Sequence, residues 1–295
     1  MGKYHKVWDG GAVRPAFPAG RLELSTRGQK NRVAVGDRVV LGRREDETLL
    51  IEAVLPRTNK ISRRITFTGA EHVVAANVDV MAVMLAPTPT LNVALLDRYL
   101  AAAEHAGVAP LIVINKMDIL EAGEAEEALA PYRALGYPAV LMAAKRDVGL
   151  SEFLGAVSGR WVLIVGHSGV GKTTLVNHAV PGADEAVREV HEARGKGRHT
   201  TSSAIAHPLP GGTTLVDTAG IREFALWAMD WRAIAAAFPE IAEASQKCRF
   251  PDCRHRSEPA CAVRNAVETD AVNAARYASY LTLVNETEDA GRAKG

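Results

Sequence analysis

Aromatic residues are scarce, at 5% of a 295-residue chain, so its cores must be built mainly from Ala, Val, Leu and Ile. No apolar run approaches the roughly 20 residues that cross a bilayer. The opening Met1-Gly2-Lys3-Tyr4-His5-Lys6 leads into no apolar stretch and does not read as a secretory signal, so a cytoplasmic protein with no membrane partner is expected. Cysteine is nearly absent: there are 3, all between Cys248 and Cys261. An odd number without a secretory signal argues against a disulfide framework and for metal binding or chemistry.

Net charge is also small, at +1, but it is unevenly spread. Residues 1–70 carry 14 Lys and Arg against 7 Asp and Glu, so the remainder of the chain is net acidic. A basic N-terminal module fits an electrostatic footprint for RNA or DNA, or a solvated basic surface without a partner. With 47% hydrophobic and 23% charged residues, the chain has the composition of a globular protein long enough for two or three domains.

Three textures follow one another. Up to about residue 70, short β-rich segments alternate with turn residues. Val33-Ala34-Val35, Gly36-Asp37 and Arg38-Val39-Val40-Leu41 read as strand, tight turn and strand. A small barrel, of OB-fold or SH3-like type, accommodates them. From about Glu71 to residue 226, apolar runs (78–85, 111–114, 139–142 and 161–165) alternate with helical stretches (95–106 and 121–135), the pattern of a largely parallel sheet with helices on both faces. From about Trp227 to residue 295 the chain turns helical, interrupted by the cysteines.

Gly166-His167-Ser168-Gly169-Val170-Gly171-Lys172-Thr173 matches a phosphate-binding loop between the strand 161–165 and a helix continuing through Thr174. Its glycines let backbone N–H groups face phosphate at a helix N-terminus. Lys172 is placed to reach the β- and γ-phosphates, and the Thr173 hydroxyl to bind magnesium. Asn115-Lys116-Met117-Asp118 follows the strand 111–114. There the Asp118 carboxylate can accept from guanine N1–H and the exocyclic amine, a donor pair that adenine lacks. Asn115 and Lys116 would tie this segment to the phosphate loop and pack over the base. Ala143-Ala144-Lys145 fits a second guanine-contacting loop. Asp217-Thr218-Ala219-Gly220 places a carboxylate for magnesium and a Gly220 amide for the γ-phosphate, and Thr200 or Thr201 can close over the metal from a basic segment. Together these motifs define a GTPase rather than an ATPase.

Their order is unusual. Most GTPases begin with the phosphate loop, whereas here both guanine elements precede it, so the chain reads as circularly permuted. The nucleotide-sensing segment after Gly220 then runs directly into the C-terminal domain, giving hydrolysis a route to move that domain. Cys248, Cys253, His255 and Cys261 lie within 14 residues and offer three thiolates and one imidazole, a set suited to closed, structural zinc.

In its Pro56-Arg57-x-Asn59, Ala76-Asn77-Val78-Asp79, Asp97-Arg98-Tyr99-Leu100 and Asn115-Lys116-x-Asp118 segments the chain resembles the RsgA, or YjeQ, family of circularly permuted GTPases dependent on the small ribosomal subunit. The likeness continues through Gly166 to Leu175, Gly197-Arg198-His199-Thr200-Thr201, Asp217-Thr218-x-Gly220 and the Cys/His cluster. The resemblance implies a multidomain protein with three parts: an OB-fold β-barrel (1–70), a permuted α/β P-loop GTPase domain (71–226) and a helical zinc-binding domain (227–295). It implies late maturation of the 30S subunit, 16S rRNA binding, and hydrolysis of GTP to GDP stimulated by that subunit, with Zn²⁺ and Mg²⁺ as cofactors and a monomeric chain. Ala219 replaces the more frequent Pro of the family, and His167 a Gln or Asn. Ile221 stands where many GTPases place a water-orienting Gln, so slow intrinsic hydrolysis is expected, with His199 as the candidate catalytic group. The alternatives are a GTP-dependent RNA-binding switch with incidental hydrolysis, and a permuted GTPase of the large subunit.

Overall fold

The computed structural model describes residues 4–9, 11–20, 22, 33–65, 69–87, 90–121, 123–180, 204–218 and 226–292. The N-terminal strands β1 (His5–Trp8), β2 (Val13–Pro18), β3 (Val39–Arg43) and β4 (Leu49–Val54) form one sheet in the order β1-β2-β4-β3, with β2 and β4 parallel. Ala16, Leu22, Val33, Leu49 and Ile51 fill its small core. A hairpin of β5 (Lys60–Arg64) and β6 (Glu71–Ala76) follows, and the boundary placed at residue 70 falls inside it.

The expected strand at Val33–Val35 does not pair with the strand after it. Val35 instead makes a lone parallel bridge to Ala75 of β6, and its carbonyl accepts from the Ala76 N–H at 3.0 Å. The reason is a polar lock on the turn itself. Asp37 accepts from the Ala34 N–H and receives both Nε and Nη2 of Arg57, while Asn77 donates to the Gly36 carbonyl. Asn59 completes the stitching by donating to the Val78 carbonyl and accepting from the Val78 N–H, both at 2.9 Å. The Pro56-Arg57-x-Asn59 and Asn77-Val78 segments therefore join the β-rich module to the central sheet.

That sheet contains β7 (Val80–Leu85), β8 (Ala109–Ile114), β9 (Ala139–Leu141), β10 (Trp161–Val165), β11 (Ala204–Pro208) and β12 (Thr214–Thr218), in the order β11-β12-β10-β7-β8-β9. Only the edge strand β11 is antiparallel to its neighbour. Every residue of β7 is buried because both faces are covered: Met81, Val83 and Leu85 point into one apolar cluster, and Val80, Ala82 and Met84 into the other. Each large side chain so buried contributes about 1.5–3 kcal/mol.

Helices α1 (Val93–Ala106) and α2 (Glu124–Ala134) cover the first face, and α3 (Leu150–Ala156) and α4 (Lys172–Ala179) the second. Asn92 starts α1 by accepting from the Leu95 N–H, and Gly107 ends it in the left-handed conformation. The C-terminal helices α5 (Trp231–Ala236), α6 (Pro239–Ser245), α7 (Ala262–Glu268) and α8 (Ala274–Arg292) share the first cluster through Ile234, Phe238, Ile241, Val263, Tyr280 and Val284. Among the described residues, no helix is long and apolar enough to cross a membrane.

A buried ionic network pins these helices to α1. Arg276 of α8 is 2% exposed and donates from Nη1 to Asp97 of α1 at 2.7 Å, and from Nε and Nη2 to Glu240 of α6 at 2.5 and 3.1 Å. The Tyr132 hydroxyl donates to the same Asp97 oxygen at 2.8 Å, and the guanidinium lies over the Phe238 and Tyr132 rings. Burial alone would lower the Arg276 pKa, but its bonds to Glu240 and the Asp97 charge raise it. Desolvation holds Asp97 above its ordinary value despite Arg276.

Candidate functional site

Parallel strands present their C-terminal ends along one edge, where ligands of open α/β sheets bind. On that edge the central strand β10 runs into the phosphate-loop segment Gly166–Gly171, followed by Lys172 at the start of α4. Two glycines there have no substitute. A Cβ on Gly166 would lie 2.3 Å from the Met84 carbonyl oxygen, and one on Gly171, at φ +103°, 2.2 Å from the Asn115 Nδ2. Ser168, Gly169 and Thr173 face outward, His167 is half-buried, and Thr174 continues α4. The Lys172 ammonium reaches back to the Gly166 and His167 carbonyls at 2.8 and 2.9 Å. Burial lowers its pKa, opposed by the Asp217 charge.

Asn115, 3% exposed at the end of β8, joins three chain segments. Its Nδ2 donates to the Val170 carbonyl at 2.8 Å, and its Oδ1 accepts from the Ala144 N–H at 2.9 Å. One side chain thus couples the phosphate loop, the Asn115–Asp118 element and the Ala143–Lys145 loop, as the sequence led us to expect for its link to the phosphate loop. Lys116 takes a left-handed conformation, φ 63°, and caps a one-turn 3-10 helix over Met117–Ile119 that carries Asp118. Lys145 is exposed on the neighbouring 3-10 turn.

Asp217, on β12 beside the phosphate loop, is 9% exposed, and its Oδ1 has no hydrogen-bond partner among the described residues. Burial raises its pKa, while Lys172 and His207 pull it down. An orphaned buried carboxylate oxygen beside the Lys172 ammonium suits a water-coordinated divalent cation, so the residues fit the magnesium that accompanies GTP in this class. Thr218 is occupied structurally, donating to the Ile164 carbonyl at 2.8 Å. His199, Thr200, Thr201 and Gly220, all assigned to the site from sequence, lie outside the described residues.

Cys248, Cys253, His255 and Cys261 converge, their ligand atoms all within 4.8 Å of one another. Tetrahedral zinc with its usual bond lengths sets sulfurs about 3.8 Å apart and sulfur to nitrogen about 3.6 Å. Cys248 Sγ stands 4.0 Å from Cys261 Sγ, and His255 Nδ1 stands 3.6 and 3.5 Å from those two sulfurs. The spacing and donor set fit zinc, with Nδ1 rather than Nε2 aimed inward. Burial, with the neighbouring thiols, pushes the Cys253 thiol up to about 12, a situation that a dication reverses. The loop is held from outside: Tyr277 donates to the His255 carbonyl, and Glu258 accepts from the Arg254, Arg256 and Ser257 N–H groups. Burial would raise the Glu258 carboxyl, but those N–H groups hold it down to about 2.

Sequence reasoning missed two groups around the Asp118 and Ala143–Lys145 loops. Arg146 Nε lies 3.5 Å from Asp118 Oδ2, and His178 of α4 pairs with Asp147 at 2.6 Å. For Arg146, its position directly after the Ala143–Lys145 segment was the one available signal.

The RsgA GTPase family model matches residues 54–227. A small ribosomal subunit biogenesis GTPase RsgA from Haemophilus influenzae is 38% identical over 265 residues, covering 87% of this chain and 76% of that protein. A protein of the same name from Azotobacter vinelandii is 41% identical over 255 residues, covering 85% and 74%. Among solved structures, YjeQ from Thermotoga maritima superimposes with a TM-score of 0.74 at 27% identity, covering 96% of this chain and 93% of that one. YloQ, described as a circularly permuted GTPase, gives a TM-score of 0.69 at 26% identity, covering 97% and 91%.

Proposed function

The chain belongs to the RsgA GTPase family, and on that premise we propose that it binds the 30S subunit late in its maturation and hydrolyses GTP there. Its activity is GTP hydrolysis in small-subunit biogenesis. The observation that carries the reading is Asn115, whose amide couples guanine-reading and phosphate-binding segments drawn from both sides of the permutation.

In the proposed mechanism, Asp118 reads the guanine edge while Lys116, Met117 and the Ala143-Ala144-Lys145 loop enclose the base. The backbone from Gly166 through Thr174 and the Lys172 ammonium hold the phosphates. Thr173 and Asp217 would hold magnesium, which neutralises phosphate charge when bound. Gly220 would meet the γ-phosphate, Thr200 or Thr201 would close over the metal, and His199 would orient water. Cys248, Cys253, His255 and Cys261 would hold one structural zinc. We assign residues 1–70 to an OB-fold contacting 16S rRNA, 71–226 to the GTPase domain and 227–295 to the zinc domain. The working form is a cytoplasmic monomer.

The test is GTP turnover with and without 30S subunits, with ATP and 50S subunits as controls. Slow hydrolysis alone and strong acceleration by 30S only is the expected result. Tight GTP binding without acceleration would replace it with the RNA-binding-switch reading, and acceleration by 50S with the large-subunit one. His199→Ala should cost about 10²–10⁴ of the stimulated rate. An unchanged rate removes His199 from the mechanism.

A further inference from the structure

We propose that Arg146 is a specificity-positioning residue for the guanine base, acting through the Asp118 carboxylate. The proposal rests on the reading of Asp118 as the guanine acceptor.

The backbone under Arg146 is fixed from several sides. The Arg146 N–H donates to the Ala143 carbonyl at 2.8 Å, and the Ala143 N–H to the Val148 carbonyl at 3.0 Å. The Ala144 N–H is held by Asn115, and Asp147 is held by His178 of the phosphate-loop helix. The side chain, 67% exposed, projects from that rigid mount. It extends to Asp118, whose own side chain is 23% exposed, and places Nε 3.5 Å from Oδ2.

The chemistry of the pair favours the bound base. Guanine offers N1–H and an amine to the two carboxylate oxygens, and each oxygen keeps a second lone pair. A guanidinium that engages Oδ2 through one lone pair leaves the other for the base. It also holds the carboxylate in place and keeps it partnered while the arriving base excludes water, when the loss of hydration is most costly. Adenine makes no use of that carboxylate, so the contribution falls on guanine alone.

The experiment is a double-mutant cycle on the full chain, read by titration with labelled GDP, ADP and XDP. Xanthine carries a carbonyl in place of the amine and pairs with an amide, so Asp118→Asn should exchange GDP for XDP preference. Arg146→Ala should weaken GDP about fivefold, the upper end for an exposed ion pair, and leave ADP unchanged. It should raise KM for GTP without changing kcat, and Arg146→Lys should restore part of the loss. In the Asp118→Asn protein, Arg146→Ala should leave XDP affinity unchanged. Loss of GDP and XDP affinity in equal measure would overturn the proposal, because Arg146 would then act on ring or phosphate directly. No loss for GDP would overturn it as well. If Asp118→Asn fails to exchange the preferred base, the reading of Asp118 itself falls, and the proposal with it. Thermal unfolding of Arg146→Ala should match the parent, as its exposure requires.

Discussion

Replacing Arg276 with Met keeps the volume of the side chain but strands Asp97 and Glu240, which are 1% and 9% exposed. Breaking a buried pair from one side typically costs about 3–5 kcal/mol. A second route gives a similar figure. A stranded Asp97 can escape its charge by binding a proton. At pH 7 that costs about 4 kcal/mol, three units of pKa at 1.36 kcal/mol each, which caps the penalty at that residue. The two routes agree on a loss of about 4 kcal/mol.

The pH dependence has a definite sign. Burial already raises Asp97 above its ordinary value, with Arg276 opposing, so removing the guanidinium raises it further. A group whose folded pKa is raised stabilises at low pH and loses that contribution as pH rises through the folded value. The deficit of Arg276→Met should therefore be largest near pH 7.5 and shrink toward pH 5.5, by at most about 1.4 kcal/mol per unit. Urea unfolding of both proteins at the two pH values, followed by circular dichroism, measures this. A loss under about 1 kcal/mol, or the same loss at both pH values, would refute the reasoning.

Three further outcomes are expected. Asn115→Ala orphans the Ala144 N–H and the Val170 carbonyl and should weaken GDP roughly 30- to 150-fold, read by titration with labelled GDP. Gly171→Ala drives a methyl group toward Asn115 Nδ2 and strains a left-handed backbone by about 1–3 kcal/mol, so GTP turnover should fall with little change in circular dichroism. Chelation should remove one zinc per chain, measured by mass spectrometry of the metal, and lower the melting temperature. Cys253→Ser should reproduce both effects in the untreated protein.

The phosphate loop, the Asn115–Asp118 element and the Cys/His cluster were legible because each is local: a few residues at fixed spacing carry the whole chemical requirement. The alternating apolar runs were equally legible, since two covered faces make strands such as Val80–Leu85 continuously hydrophobic. The Val33–Val35 pairing was misread because an Asp37–Arg57 lock across 20 residues decides where the chain turns. Arg276 carried no signal at all, as an arginine in a helical stretch whose partner Asp97 lies 179 residues away. Arg146 was hidden for the opposite reason, standing beside a motif too short to direct attention to its neighbours.

That separation of 179 residues also sets an order of events during synthesis. Asp97 leaves the ribosome long before Arg276, an interval on the order of ten seconds or more at about 5–20 residues per second. Throughout that time Asp97 has no guanidinium to pair with, so seating α1 on the first face of the sheet carries the same penalty of about 4 kcal/mol. That penalty is lifted only once α8 has been made, and a chain cut short before Arg276 closes that face less firmly. Quality control on such chains would find apolar side chains such as Leu96 and Leu100 more exposed than in the finished protein, which buries both.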